Sequence, residues 1–395
     1  MDKNIIYVDH AATTYVKPEV FEKMKPYFTE LFGNPSSIYA LGRESRKAVE
    51  NARSEIAFCL GAHPTEIYFT ASGTEADNWA IKGAAYANIK KGRHLITSAI
   101  EHHAVLHCFG FLEKEGFEVT YLPVDEKGFV NPDDLKKAIK PDTTLVSIMF
   151  ANNEIGTIQP IKELAAIARE KGVLFHTDAV QAMGNIDVKV NDLGVDLLSM
   201  SAHKFYGPKG VGALYIRKGV RINNFMHGGA QERNKRAGTE NVAGVIGMAA
   251  ALKFAYENLE EYNRHLRKLS DRLIDSVMER IPYVRLNGDR EKRLPGNVNL
   301  SFQFIEGESL LLMLDMKGIQ ASSGSACTSG SLDPSHVLLA IGLSHETAHG
   351  SLRITFGERN TEEEVDYIVE NLVEIVGKLR QMSPLYEDFV RKSGK

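Results

Sequence analysis

The sequence is poor in cysteine, with 3 among 395 residues (Cys59, Cys108 and Cys327) and no paired spacing between them. That scarcity argues against a disulfide framework, against a zinc site and against a structural iron–sulfur cluster held by this chain alone. Charge of one sign is lacking too. The 47 Lys and Arg nearly balance 51 Asp and Glu, a formal net charge of −4, so nothing points to direct nucleic-acid binding or to an acidic membrane surface. No stretch approaches the ~18 consecutive apolar residues of a membrane span. The opening MDKNIIYVD has no basic region followed by a long apolar run, so no signal peptide is expected. Internal repeats are absent. What remains, 43% hydrophobic and 25% charged residues, is the composition of a globular protein, expected in the cytoplasm, where a catalytic thiol stays reduced.

The most informative segment is SMSAHKFYGPKGVGAL at 199–214. It sets Lys204 in a small, polar, glycine-bounded turn between two apolar runs that read as strands. A surface lysine needs no such setting, whereas an amine that forms a Schiff base must be held and partly desolvated. Ser201 and His203 beside it can hydrogen-bond an anion such as a phosphate. Upstream, GVLFHTD at 172–178 reads as a parallel strand delivering Asp178 at its carboxyl end, the edge where open α/β sheets bind ligands. An aspartate there and a lysine shortly after it are what pyridoxal phosphate requires: a carboxylate to keep the ring nitrogen protonated and an amine to hold the aldehyde. The run IYFTASGTEADNWAI at 67–81 is strand, turn, then helix, so the amides at Gly73 and the Thr74 hydroxyl form a phosphate site at a helix N-terminus. In ITSAIEHHA at 96–104 a further strand delivers His102 to the same edge, where an imidazole could stack on a pyridine ring and move protons.

The third cysteine stands apart. Cys59 and Cys108 lie in apolar helical contexts and read as inert core thiols. Cys327 sits in ASSGSACTSGSLDP at 321–334, a run of small polar residues that cannot build a core and reads as an exposed loop suited to a nucleophile.

Strand and helix alternate from about Ile67 to Ile216, which predicts a mostly parallel sheet covered by helices on both faces. Helical spacing then dominates from Asn241 to about Arg280. Short strands at 297–302, 319–322 and 351–356, a helix at 307–317 and a long helix capped by Thr361 predict a smaller α+β unit. The charge run at 290–293 reads as a solvated loop.

Taken together, YVDHAATT (7–14), FGNPSS (32–37), ANNEIG (151–156), DAVQ (178–181), SAHK (201–204), RAGT (236–239), SSGSACT (322–328) and LRQMSPL (379–385) resemble the pyridoxal phosphate-dependent cysteine desulfurases of the NifS/IscS type. These lie within the class-V aminotransferases of fold type I, and the likeness covers nearly the whole chain. It implies an α/β fold with a mostly parallel seven-stranded sheet in a large domain, 15–258. A small domain would join 1–14 with 259–395 and carry the cysteine loop at about 321–334.

The resemblance also implies the roles. Lys204 holds the cofactor as a Schiff base and serves as general base, Asp178 holds the pyridine nitrogen, Gln181 bonds the phenolic oxygen and His102 stacks on the ring. Thr74, Ser201 and His203 bind the phosphate, with Thr239 reaching in from the second subunit of a homodimer. Asn153 contacts cofactor or substrate, Arg353 grips the substrate carboxylate, and Asn34 assists. Cys327 takes the sulfur of L-cysteine as a persulfide, leaving L-alanine, and passes it to an iron–sulfur scaffold or another sulfur acceptor such as a tRNA-thiolation relay. A selenocysteine lyase or another aminotransferase-like enzyme would share Lys204, Asp178 and the phosphate site. An aminotransferase has no use for the Cys327 loop, and a pure sulfur carrier has no use for the cofactor residues.

Overall fold

The computed structural model describes residues 5–323 and 334–393, and the Cys327 reading lies outside them. Twelve strands occur among the described residues: β1 Ile6–Tyr7, β2 Ile67–Thr70, β3 His94–Ser98, β4 Glu118–Leu122, β5 Thr143–Ser147, β6 Leu174–Asp178, β7 Leu197–Ser201, β8 Gly212–Ile216, β9 Val284–Leu286, β10 Asn297–Phe302, β11 Ile319–Gln320 and β12 Ser351–Thr355. Seven of them form one sheet in the order β2-β8-β7-β6-β5-β3-β4. From β7 to β4 every pairing is parallel, and only β8 runs antiparallel to both of its neighbours.

Alternation along the strands explains the layers. Leu95, Leu145, Leu197 and Leu214 point to one face, where Trp79, Ala80, Val105 and Phe109 of helices Gly73–Ala87 and His103–Lys114 cover them. Their neighbours Ile96, Val146, Leu198 and Tyr215 point to the other, against helices Ala40–Leu60, Ile161–Glu170 and Val242–Glu257. A strand period of two thus divides one apolar run between two cores. β3, β5, β7 and β8 are buried along their whole length, as strands covered on both faces must be.

A further core forms where helices Leu259–Arg280 and Glu362–Gln381 pack on the antiparallel β12-β10-β9 sheet. The N-terminal strand joins it across the chain. Ile6 pairs with Ile319 in parallel register, and Asp9 bridges to Thr355. Thr361 caps the last long helix, its hydroxyl accepting the Glu364 N–H at 3.3 Å while the Glu364 carboxylate takes the Thr361 N–H.

The helical spacing from Asn241 to Arg280 is two helices, because Asn258 leaves helical geometry (φ −116°, ψ 12°) and its side-chain amide bonds back to the Phe254 carbonyl at 2.8 Å. One expectation needs correction. The charge run at 290–293 is not wholly solvated. Arg293 is 1% exposed, donating to the Ile155 carbonyl at 3.1 Å and to Asn297 Oδ1 at 3.2 Å, whereas Arg290 reaches the exposed Asp275 at 2.9 Å.

One buried ion pair ties the RAGT region to the sheet. Arg53 (3% exposed) donates to both oxygens of Glu232 at 2.7 and 2.8 Å, and Glu232 also accepts the Phe69 N–H at 2.8 Å. Removing one partner strands the other charge in a dry site. Arg53→Ala is therefore expected to destabilise the fold by about 3–5 kcal/mol, read as a lowered denaturation midpoint. A change below about 1 kcal/mol would show that water reaches the pair.

Candidate active site

The carboxyl ends of the parallel strands converge on a cavity of about 380 Å³. Its lining includes Gly73, Thr74, His102, Asn153, Asp178, Gln181, Ser201, His203, Lys204 and Arg353. Most of them arrive from the ends of strands. Asp178 closes β6 and Ser201 closes β7, a single 3-10 turn then carries His203 and Lys204, and His102 follows β3 at the head of the next helix. The sheet thus gathers side chains that are far apart in sequence.

The Lys204 amine is half-buried and donates to the Ala11 and Ala12 carbonyls at 2.5 and 2.9 Å. Gln181 Nε2 donates to the same Ala11 carbonyl at 2.9 Å, so the N-terminal segment forms one wall of the site. Asp178 Oδ1 accepts the Val180 N–H at 2.9 Å. Burial raises the Asp178 carboxyl, opposed by that N–H and by the Lys204 charge.

His102 Nδ1 accepts the Ala104 N–H at 3.1 Å, capping the helix. Burial first, then the Lys204 charge, push its imidazole down to about 4. His203 is lowered to about 4 in the same way, and its Nδ1 lies 3.1 Å from Thr13 Oγ1. Both rings are therefore neutral near pH 7. With Nδ1 of His102 engaged as acceptor, its proton sits on Nε2.

The helix that starts at Gly73 is capped by Ser72, whose hydroxyl accepts the Glu75 N–H at 3.1 Å. Glu75 holds Arg236 of the RAGT motif through two bonds of 2.7 and 2.9 Å. A Cβ at Gly73 would lie 2.7 Å from Val180 Cγ2, so no larger residue fits between the helix start and the strand ends.

Arg353 on β12 is 3% exposed, donates to Asp9 Oδ1 at 2.8 Å and to the Asn153 carbonyl at 3.1 Å, and its Nε has no hydrogen-bond partner among the described residues. It is thus both a salt-bridge residue and a wall of the cavity. Asn34 and Thr239 do not line it. Asn34 Oδ1 accepts the Ser36 N–H at 2.9 Å, and Thr239 is solvent-exposed.

Sequence reading passed over Asp9, Ser72, Asp77 and Ser322, all of which line the cavity. Ser72 and Glu75 carried a usable signal, the S-x-x-E pattern of a helix start. Asp77 did as well, being a carboxylate among Ala76, Trp79 and Ala80 on the buried face of its helix. No cluster of three or more His, Cys, Asp or Glu residues able to hold a metal ion occurs among the described residues.

The likeness to known proteins runs over nearly the whole chain. The aminotransferase class-V family matches residues 6–368. Cysteine desulfurase IscS of Clostridium botulinum strain Hall is 61% identical over 388 residues, 98% of each chain, and that of Methanosarcina thermophila is 60% identical over 384 residues, 97% of this chain and 95% of the other. Among solved structures, a NifS-like protein superposes with a TM-score of 0.90 at 42% identity, covering 95% of this chain and all of the other. SspA in complex with cysteine superposes at 0.80 with 36% identity, covering 90% of this chain and all of the other. The chain belongs to the aminotransferase class-V family, among its cysteine desulfurases.

Proposed function

We infer that this chain is a pyridoxal phosphate-dependent cysteine desulfurase that converts L-cysteine to L-alanine and takes the sulfur onto Cys327. The observation that carries the reading is the meeting of the Lys204 amine, the Asp178 carboxylate, the neutral His102 ring and the Gly73 helix start on one cavity. That donor set fits a phosphorylated pyridine aldehyde. The helix start with Ser201 and His203 suits the phosphate, a buried carboxylate suits a ring nitrogen, and glycine at 73, which lines the cavity, leaves its backbone N–H uncovered by any side chain.

When bound, pyridoxal phosphate supplies an electron sink for the pair released at the substrate α-carbon. The protein supplies the rest. Lys204 would hold the cofactor aldehyde, and its Nζ would take the substrate α-proton and return it to the product. Asp178 would hold a proton on the ring nitrogen, Gln181 would bond the phenolic oxygen, and His102, with its proton on Nε2, would cover the ring. Arg353 would meet the substrate carboxylate with a planar guanidinium, helped by Asn153, which lines the same cavity. The Cys327 thiolate attacks the substrate sulfur, whose bond to Cβ breaks. The electron pair of that bond and a proton complete the methyl group of alanine, and the two sulfurs remain joined as a persulfide. The reaction needs no outside oxidant.

The segment with Cys327 leaves the described chain just past Ser322, which lines the cavity and pairs with Arg353 through backbone bonds of 3.2 and 2.7 Å. That stem supports delivery of the thiol to the substrate. The same reading takes 15–258 as the cofactor-binding domain and 1–14 with 259–395 as the smaller one. It makes the protein a cytoplasmic homodimer in which Thr239 completes the partner's phosphate site, and it makes an iron–sulfur scaffold or another sulfur-acceptor protein the recipient. No helix among the described residues is long and apolar enough to cross a membrane.

Gly73→Ala tests the phosphate site separately from the chemistry. The variant is expected to bind pyridoxal phosphate at least ~10-fold more weakly, about 1.4 kcal/mol, in a titration of the apoprotein followed by visible absorption. Unchanged affinity would remove the helix start from the cofactor site.

A further inference from the structure

Asp77 has a part in this site that the roles above leave unassigned. It lies one turn into the helix Gly73–Ala87, is 1% exposed, and lines the same cavity as Asp178. Its Oδ1 has no hydrogen-bond partner among the described residues. His176 Nε2 lies 3.7 Å from that oxygen, but both ring nitrogens are committed to hydroxyls: Nδ1 to Ser147 at 2.8 Å and Nε2 to Ser199 at 2.9 Å. Full burial holds the His176 imidazole neutral, down to about 3, so it supplies no positive charge.

The groups that face Asp77 from the neighbouring elements are Asp178 and His176 on β6, Ser199 on β7, Glu101 after β3 and Cys108 on the adjacent helix. Glu101 is itself buried, accepting the Ser98 hydroxyl at 2.5 Å and the Met149 N–H at 3.0 Å. Two carboxylates in one dry site do not both ionise at ordinary cost. The surroundings decide which keeps the proton. Asp178 has a backbone N–H at 2.9 Å and feels the Lys204 charge, both of which favour its anion. Asp77 faces acids and has only a serine hydroxyl. Burial first, then the Asp178 charge, push its carboxyl well above the usual carboxylate range.

We propose that Asp77 is a positioning residue, a buried neutral carboxyl whose proton leaves the pair's single negative charge on Asp178. The inference rests on the reading of Asp178 as the carboxylate that holds the pyridine nitrogen. A proton on Asp77 removes the penalty of an unpaired buried anion and turns an acceptor-only group into a donor. It also fixes the charge beside the cofactor at one, so the ring nitrogen responds to Asp178 alone.

The test uses infrared spectroscopy of the holoenzyme labelled with 13C-aspartate at neutral pH. A protonated-carboxyl band that shifts with the label and disappears in Asp77→Asn is the expected result. Loss of an ionised-carboxylate band instead would overturn the proposal. If the variant does not fold, the labelled wild type still decides, because absence of any protonated aspartate band excludes a neutral Asp77.

Asn is neutral at every pH, so Asp77→Asn should keep the pH midpoint of the cofactor's visible absorption where the wild type has it. A displacement of about one unit, the size produced by losing a nearby charge, would also overturn the idea. Asp178→Asn separates the two readings. If it leaves the cofactor spectrum and turnover unchanged, the role given to Asp178 fails, while the band still reports whether Asp77 carries a proton.

Discussion

Lys204→Ala is expected to lower alanine formation from L-cysteine by on the order of 10³-fold or more while the protein stays folded. The size follows from two tasks falling on one amine. As anchor, Lys204 makes the covalent bond to the cofactor. As base, it takes the α-proton, and general-base catalysis alone is worth roughly 10² to 10⁴. The amine lies against the wall of the cavity, donating to the carbonyls of Ala11 and Ala12. The phosphate and ring contacts do not depend on it, so the variant should still take up pyridoxal phosphate, now removable by dialysis. Assay of alanine beside the visible spectrum before and after dialysis checks both parts. A variant that keeps a tenth of wild-type turnover would mean that another group takes the proton.

Cys327→Ala is expected to abolish persulfide formation and to reduce sulfur release roughly 10³-fold or more, with cofactor content unchanged. The substrate sulfur must leave Cβ with a partner to accept it, and the other two cysteines cannot serve. Cys59 and Cys108 are 5% and 3% exposed, and burial pushes their thiols up to about 11 and 12, so thiolate is scarce at either. Neither lines the cavity that holds Lys204. A Cys327→Ala enzyme that still forms a persulfide would move the sulfur site elsewhere in the chain. The same assay bears on the rival activities. An aminotransferase would be indifferent to the substitution, and a selenocysteine lyase would turn over L-cysteine poorly before it was made.

The cofactor side of the site was legible because its residues lie at strand ends that the sequence marks locally. Apolar runs followed by Asp178, by Ser201 through Lys204 and by His102 each announce a strand and what it delivers. The parallel sheet was legible for the same reason, since fully buried strands leave near-continuous apolar segments.

What periodicity could not show is which distant segment closes the site. The contacts of Lys204 and Gln181 with Ala11 and of Arg353 with Asp9 join residues 170 to 344 positions apart and have no local signature. The antiparallel course of β8 was likewise hidden, because a buried strand has one composition in either direction. Arg293 was misread because 290–293 is a run of four charges, which ordinarily faces water, and burial of the last depends on the carbonyl of Ile155, 138 positions away. Asp77 was passed over because a polar residue in a helix is ordinarily on its wet face. Only the apolar neighbours on both sides mark it as buried.

The account's central claim is tested most directly by a single turnover: cofactor-loaded protein mixed with one equivalent of L-cysteine in the absence of reductant, followed by measurement of alanine and of the mass of the peptide carrying Cys327. The prediction is one alanine per active site, matched by that peptide becoming heavier by one sulfur atom. Alanine without the added sulfur, or neither product from fully loaded protein, would contradict it.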